Sequence, residues 1–312
     1  MQSLITNLKE KHCGVKVAIS DLLLKHSGIE SIPTREVRVR YNNALDRFME
    51  NIPFFVGPQY GRILSVGSSN WRDLDADGCR VQKKTLNLYR DYYNILSAII
   101  IDHAETIRNR AIEADRKIQE TIEQRGMPLS DDPQNIWDIV EKSLDQQFSL
   151  LTPFVSHEAQ APILVMDTNA LLYNPSLEDW CFDEFLKFEL VLVPTVLEEI
   201  DKHKSQHRNE QVREKAEGLV TRIKGYRNRG KLSEGVTLRK DISTLRAPPQ
   251  NSTNCPLFSA DDPDSRILAN CFEIARLEFS HPVALVTRDV NLQNRAELYC
   301  LPFLEPPAPA RM

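Results

Sequence analysis

The 312-residue chain lacks the marks of several common protein classes. No two of its cysteines have CxxC spacing: Cys13, Cys79, Cys181, Cys255, Cys271 and Cys300 are scattered. That pattern excludes a zinc ribbon or disulfide framework and predicts buried free thiols in a reducing compartment. There is no GxxxxGK[ST] and no GxGxxG, so NTP hydrolysis and dinucleotide binding are not indicated. The longest strongly apolar run, around Ile95 to Ile101, stops at Asp102 and is far too short to cross a bilayer. After Met1 the chain reads QSLITNLKEKH, without the basic segment and apolar core of a secretory leader. These features together predict a cytoplasmic protein with no membrane partner.

The hydrophobic fraction of 41% and charged fraction of 27% are those of an ordinary globular protein, long enough for two domains. A net charge of −5 argues weakly against nucleic acid, but the distribution is uneven. Asp201 to Lys240 holds 12 Lys and Arg against 5 Asp and Glu, a local +7 that leaves −12 for the rest. One basic segment in a mildly acidic protein is enough to hold a phosphate backbone.

Residues 1–155 read as an all-α domain. Leu4, Leu8, Val15, Ala18, Ile19, Leu22 and Leu23 fall on one face of an opening helix. Neither Gly nor Pro interrupts Arg80 to Arg125, where Leu96, Ile100, His103, Ile107, Ala111, Ala114, Ile118 and Ile122 step by three and four. This predicts one amphipathic helix of roughly 70 Å, stopped by Gly126 and Pro128. Its seam must pack on other helices of the chain or on a second subunit or partner protein. A homodimer or protein partner through these helices is therefore one expectation, and a plain scaffold bundle the blander one.

From Ile163 short β-branched runs alternate with helical patterns, which predicts an α/β domain over 160–312, a central parallel sheet between two helical layers. The domain boundary is expected near Thr152 to Pro162. The expected strands are ILVM before Asp167, ELVLV, Val236–Leu238 and Val283–Thr287. The expected helices are Leu177–Lys187, Thr195 to about His203, Asn209–Arg229, Asp262–Phe279 and Asn291–Leu298. Pro248 to Asp261 reads as a loop.

The acids carry the chemistry. Asp167 and Asp289 follow two predicted strands, and open parallel sheets place their ligand crevice outside strand carboxyl ends. Glu199 lies one turn into the helix after the second strand, and Asp264 opens the helix DSRILANCFEIA. Clustered carboxylates are costly without a cation, and an all-oxygen set selects Mg²⁺ or Mn²⁺. Such an ion can activate water against a phosphodiester with no nucleophilic Ser or Cys.

The runs ILVMDTNALL, LVLVPTVLEEIDKHK, DPDSRILANCFEIA and ALVTRDVNLQNRAE, in this order over about residues 163–304, resemble a PIN-domain nuclease. They are most similar to the branch with ELD-like and TxDxN-like motifs, found in RNA-decay endonucleases and PhoH-associated proteins. The resemblance implies a three-layer α/β/α fold and metal-dependent cleavage of single-stranded RNA by Asp167, Glu199, Asp264 and Asp289. It implies supporting roles for Asn169, Thr287 and Asn291. Glu198 competes with Glu199, and Asp261 or Asp262 with Asp264. The RNA strand is expected on the basic run, at Lys202, Lys204, Arg208, Arg213, Lys224, Arg227 and Arg229, though such a run is also an ordinary solvated helix face. The resemblance says nothing of the helical half.

Other readings remain in view. A PIN-like module without activity, acting in binding or regulation, would keep this sequence pattern. So would a growth-arrest or antiviral toxin restrained by a partner or by its helical half. Asp or Glu at a helix start is commonly just a cap. Asp73, Asp75, Asp77 and Gly78 imitate the opening of a calcium loop, but Lys84 replaces the bidentate Glu. Glu199, His203 and His207 invite a zinc reading without the HExxH order. A dehalogenase-type phosphatase would need an acid where Asn169 stands.

Overall fold

The computed structural model describes residues 4–27, 74, 76–101, 104–123, 133–151, 160–248, 255–278 and 280–309. The chain divides into two compact units, Leu8–Thr152 and Pro153–Met312 together with Met1–Asn7.

Helix α1 (Leu4–Ser27) buries Leu4, Leu8, Val15, Ile19, Leu22 and Leu23, the expected face except for half-buried Ala18. The single long helix is corrected. It is two helices, α2 (Ala76–Ile100) and α3 (Glu105–Glu123). They lie antiparallel: the Gln82 amide donates to the Ile122 carbonyl (2.8 Å), Tyr89 donates to Asp115 (2.8 Å), and Arg90 pairs with Glu123 (3.3 Å). The reason is in the seam itself. Folding back lets its two halves, including Leu96 and Ile100 against Ala111, Ala114, Ile118 and Ile122, bury each other, whereas a straight rod needs an outside partner. Helix α4 (Pro133–Ser149) packs on α3, and Gln147 donates to the Tyr89 hydroxyl (3.0 Å). Lys16, 6% exposed, is compensated by Asp145 at 2.7 Å and Glu141 at 3.6 Å, as a buried ammonium must be. Asp73, Asp75, His103, Gly126, Pro128 and most of the expected linker (152–159) lie outside the described residues.

The second unit is a three-layer α/β/α fold. Its strands are β1 (Ile163–Met166), β2 (Phe188–Val191), β3 (Val236–Arg239), β4 (Ser243–Arg246), β5 (Val283–Val286) and β6 (Phe303–Leu304). They form one sheet in the order β3-β4-β2-β1-β5-β6. The expected central parallel sheet runs from β4 to β6, and one antiparallel edge strand, β3, joins it through the hairpin β3–β4. β1 and β5 are buried at every position, as strands covered by helices on both faces must be. The hairpin has a local cause: Asp241 takes a left-handed φ of 59° in the turn, and Arg246 of β4 bridges Glu189 and Glu278. The helices are α5 (Thr168–Tyr173), α6 (Pro194–Gln206), α7 (Glu210–Arg227), α8 (Pro263–Leu277) and α9 (Val290–Leu298).

The expected helix over Leu177–Lys187 is absent. A single 3₁₀ turn, Leu177–Asp179, leads into a bridge between Phe182 and Phe185. Aromatic packing overrides helical spacing here: buried Trp180 meets Phe182 edge-on at 6.2 Å, and Phe182 stacks on Phe185 at 5.1 Å. The cysteines form no disulfide, but only Cys271 and Cys300 are buried, while Cys79 and Cys181 are exposed.

Candidate functional site

Helix caps build the site. After β1 the chain leaves extended backbone at Asp167 (φ −90°, ψ 171°), whose carboxylate accepts from the Ala170 amide at 2.6 Å and so starts α5. After β5, Asp289 does the same for α9, accepting from the Asn291 (2.8 Å) and Leu292 (3.2 Å) amides. β1 and β5 are parallel neighbours, so the two caps lie side by side at strand carboxyl ends. Chain order reverses at β1, flanked by β2 and β5, which is where open α/β sheets form their crevice. Fully buried Thr287 ties the caps together: its hydroxyl donates to Asp167 Oδ2 (2.5 Å) and accepts from the Asp289 amide (2.9 Å).

Glu199, half-buried on α6, reaches the same end and accepts from Thr168 Oγ1 at 2.5 Å. Asp264, in the first turn of α8, lies 3.7 Å from the Arg295 guanidinium of α9. Asp167 is only 3% exposed, and burial pushes its pKa from 3.8 up to about 6. The Thr287 and Ala170 donors oppose that rise, while the Asp289 and Glu199 charges add to it. The Asp264 carboxyl is also raised, by burial first and then by Asp262, with Arg295 opposing and Asp289 and Glu199 adding. Asp167 and Asp264 therefore feel the same two neighbours. The four acids share one field.

The competing acids sort themselves. Glu198 is exposed and pairs with Arg266 at 3.2 Å. Asp262 is the α8 cap, accepting from the Ser265 amide (3.1 Å), Ser265 Oγ (2.6 Å) and Arg295 (2.8 Å). Burial works to raise Asp262, but those donors outweigh it and hold the carboxyl below its ordinary range. Asp261 is exposed. Of the supporting residues, Thr287 is the buried bridge, whereas Asn169 and Asn291 are exposed and their side chains make no hydrogen bond among the described residues.

Three contributors escaped the sequence reading. Thr168 stands between Asp167 and Asn169, and a hydroxyl beside a strand-end acid was a usable signal. Arg295 and Ser265 had none, since their roles arise only from α8 packing beside α9. Among the described residues no group of three or more His, Cys, Asp or Glu stands ready to hold a metal ion. Each carboxylate leans instead on a donor of its own chain, as mutually repelling acids do. The donor chemistry nevertheless fits a hard divalent cation: four carboxylates, no thiol or imidazole among them, and an Asp167 raised by burial first, with Asp289 and Glu199 adding.

The basic run divides into three groups. Lys202, Lys204 and Arg208 are exposed on the later part of α6 and just beyond it. Arg213 donates to the His207 (2.7 Å) and Arg208 (3.3 Å) carbonyls, holding the α6–α7 turn. Lys224, Arg227 and Arg229 line a cleft beside α6. His207 shapes the same turn, its Nδ1 accepting from the Asn209 amide at 3.1 Å.

Residues 164–302 match the PIN domain family, so a PIN domain is present over that span. No curated protein matches the chain. Among the described residues no helix is long and apolar enough to cross a membrane.

Proposed function

We propose that this PIN domain is a cytoplasmic, metal-dependent endoribonuclease acting on single-stranded RNA. One observation carries the reading: strand-end Asp167, tied through Thr287 to Asp289, has its carboxyl pushed to about 6 by burial first, with Asp289 and Glu199 adding. Functional sites are where such perturbed groups gather.

Asp167, Glu199, Asp264 and Asp289 would together hold Mg²⁺ or Mn²⁺, which when bound supplies an activated water and charge neutralisation at the phosphodiester. The chain's own contribution is positional. Thr287 fixes the Asp167 carboxylate and the Asp289 backbone in one register. Thr168 aims Glu199, and Arg295 tempers the charge on Asp264. Asn169 and Asn291, both exposed, would hydrogen-bond water or substrate. The basic groups around α6 and α7 hold the strand, with Lys202, Lys204, Arg208, Lys224, Arg227 and Arg229 the main contributors and Arg213, tied to the turn, the least.

The helical half, taken as a domain of about 155 residues, serves as scaffold or partner surface. Among the described residues, Val17, Ile112 and Ile139, each more than half exposed, are apolar groups it would offer to a second copy or another protein.

Cleavage of end-labelled single-stranded RNA in Mn²⁺ tests the proposal. Wild type should cut, and Asp167→Asn and Asp289→Asn should not. Equal cutting by all three would identify a contaminant. The second reading, a binding module without activity, draws on the unassembled ligand set and predicts no cutting with RNA binding intact.

A further inference from the structure

On the far flank of α6 lies a cleft of about 870 Å³, within the roughly 300–1,000 Å³ typical of ligand sites. It is not the acid site. At 100° per helical residue, Pro194, Leu197 and Asp201, which line the cleft, lie about 140–160° around α6 from Glu199, and Ile200 about 100° from it. It does share the acid site's end of the sheet. Pro194 follows β2 and Ala247–Pro248 follow β4, both parallel to the order that carries Asp167 and Asp289.

The lining is two-sided in character. Leu197, Ile200, Val220, Ile223 and Leu232 make an aliphatic floor. Around it stand four cations, Lys224, Arg227, Arg229 and Lys231, against one acid, Asp201. Two cations are already engaged: Arg229 with Glu178 at 3.6 Å and Lys231 with Glu234 at 2.8 Å. Lys224 and Arg227 are exposed and make no side-chain hydrogen bond or ion pair among the described residues. The α7 carboxyl end contributes roughly half a negative charge, too little to reverse the sign. An occupant must be both anionic and partly apolar.

We propose that this cleft is a second nucleic-acid subsite, which takes one nucleotide of a single strand away from the cut. Lys224 and Arg227 hold its phosphate, and the base lies on the Leu197–Ile200–Ile223 floor. The proposal rests on the nucleic-acid reading above and deepens it. α6 is about 10–12 Å across, which a strand at ~3.4 Å per stacked nucleotide crosses in three or four nucleotides. The occupied subsite therefore lies a short, fixed distance along the strand from the acids, which sets a minimum substrate length.

The test is equilibrium binding of a fluorescein-labelled single-stranded oligonucleotide to the full chain carrying Asp167→Asn, in EDTA, over a salt series. Adding Lys224→Ala and Arg227→Ala should weaken binding at least tenfold. It should also lower the slope of log affinity against log salt by about 0.7, the value for the one single-strand phosphate that the two cations hold. Leu197→Ala, at a half-buried position, should weaken binding with the slope unchanged. A nucleoside monophosphate should displace the strand better than inorganic phosphate.

An unchanged slope in the double variant would overturn the proposal. So would equal competition by inorganic phosphate, or displacement by an acidic peptide and not by nucleotide. Tight cleft-dependent binding in a wild type that never cuts would sink the nuclease reading alone. Cutting by wild type with cleft-independent binding would sink this proposal alone.

Discussion

The two flanks of α6 use charge in opposite ways. On one, half-buried Glu199, Asp264 and Asp289 join buried Asp167, and the chain supplies donors: Thr287 and Ala170 to Asp167, Thr168 to Glu199, two amides to Asp289. On the other, cations stand at the surface of an open cleft, two of them unengaged among the described residues. Burial makes the acid flank costly: it is paid for in a raised Asp167. Exposure makes the basic flank cheap and salt-sensitive. On the proposed reading the first flank would do the chemistry and the second would grip the strand electrostatically.

The largest expected effect breaks the acid flank outright. Asp167→Asn should lower cleavage by on the order of a thousandfold, since losing a ligand of the reacting centre removes several kcal/mol of transition-state stabilisation. Thr287→Val comes next. It removes one hydroxyl that serves both Asp167 and Asp289, and should cost about 10–100-fold in Mn²⁺ affinity or activity. A Mn²⁺ titration of cleavage separates the two changes, because added metal should partly rescue Thr287→Val and leave Asp167→Asn inert.

The same flank predicts a stability effect of opposite direction to the loss of activity. Folded Asp167 holds its proton up to about pH 6, whereas the ordinary carboxyl releases it near 3.8. Between those values the folded state binds more protons than the unfolded chain. The stability contribution is thus complete below pH 3.8 and lost as pH rises through 6. Asp167→Asn in EDTA at pH 7.5 should therefore gain about 1–3 kcal/mol, read as a higher denaturant midpoint, with the gain shrinking toward pH 4. No gain would mean that the acid flank is not under charge strain. The smallest effect sharpens the basic flank. Arg213→Ala should change RNA affinity less than twofold, because its guanidinium is bound to the His207 and Arg208 carbonyls.

Much of the acid flank was legible because strand-end position is a sequence property: an apolar β-branched run followed by Asp places that carboxyl at the crevice without further information. The choice of Glu199 over Glu198 was not legible. Adjacent helix residues differ by 100° in direction, and only packing shows that one meets Thr168 and the other Arg266. β3 was expected at Val236–Leu238, whereas β4 escaped because STLR is short and half polar. The long helix of the N-terminal half was misread as unbroken because periodicity reports a face, not whether the chain folds back upon it. The basic run could be seen but not divided, since whether an arginine grips a carbonyl or waits at a cleft is settled by tertiary contacts.

Manganese binding to the intact chain, followed by calorimetry with wild type and Asp167→Asn side by side, tests the central claim most directly. Wild type should bind one or two ions, with proton release near pH 6, and the variant should bind at least tenfold more weakly. Identical binding isotherms for the two proteins would contradict that claim.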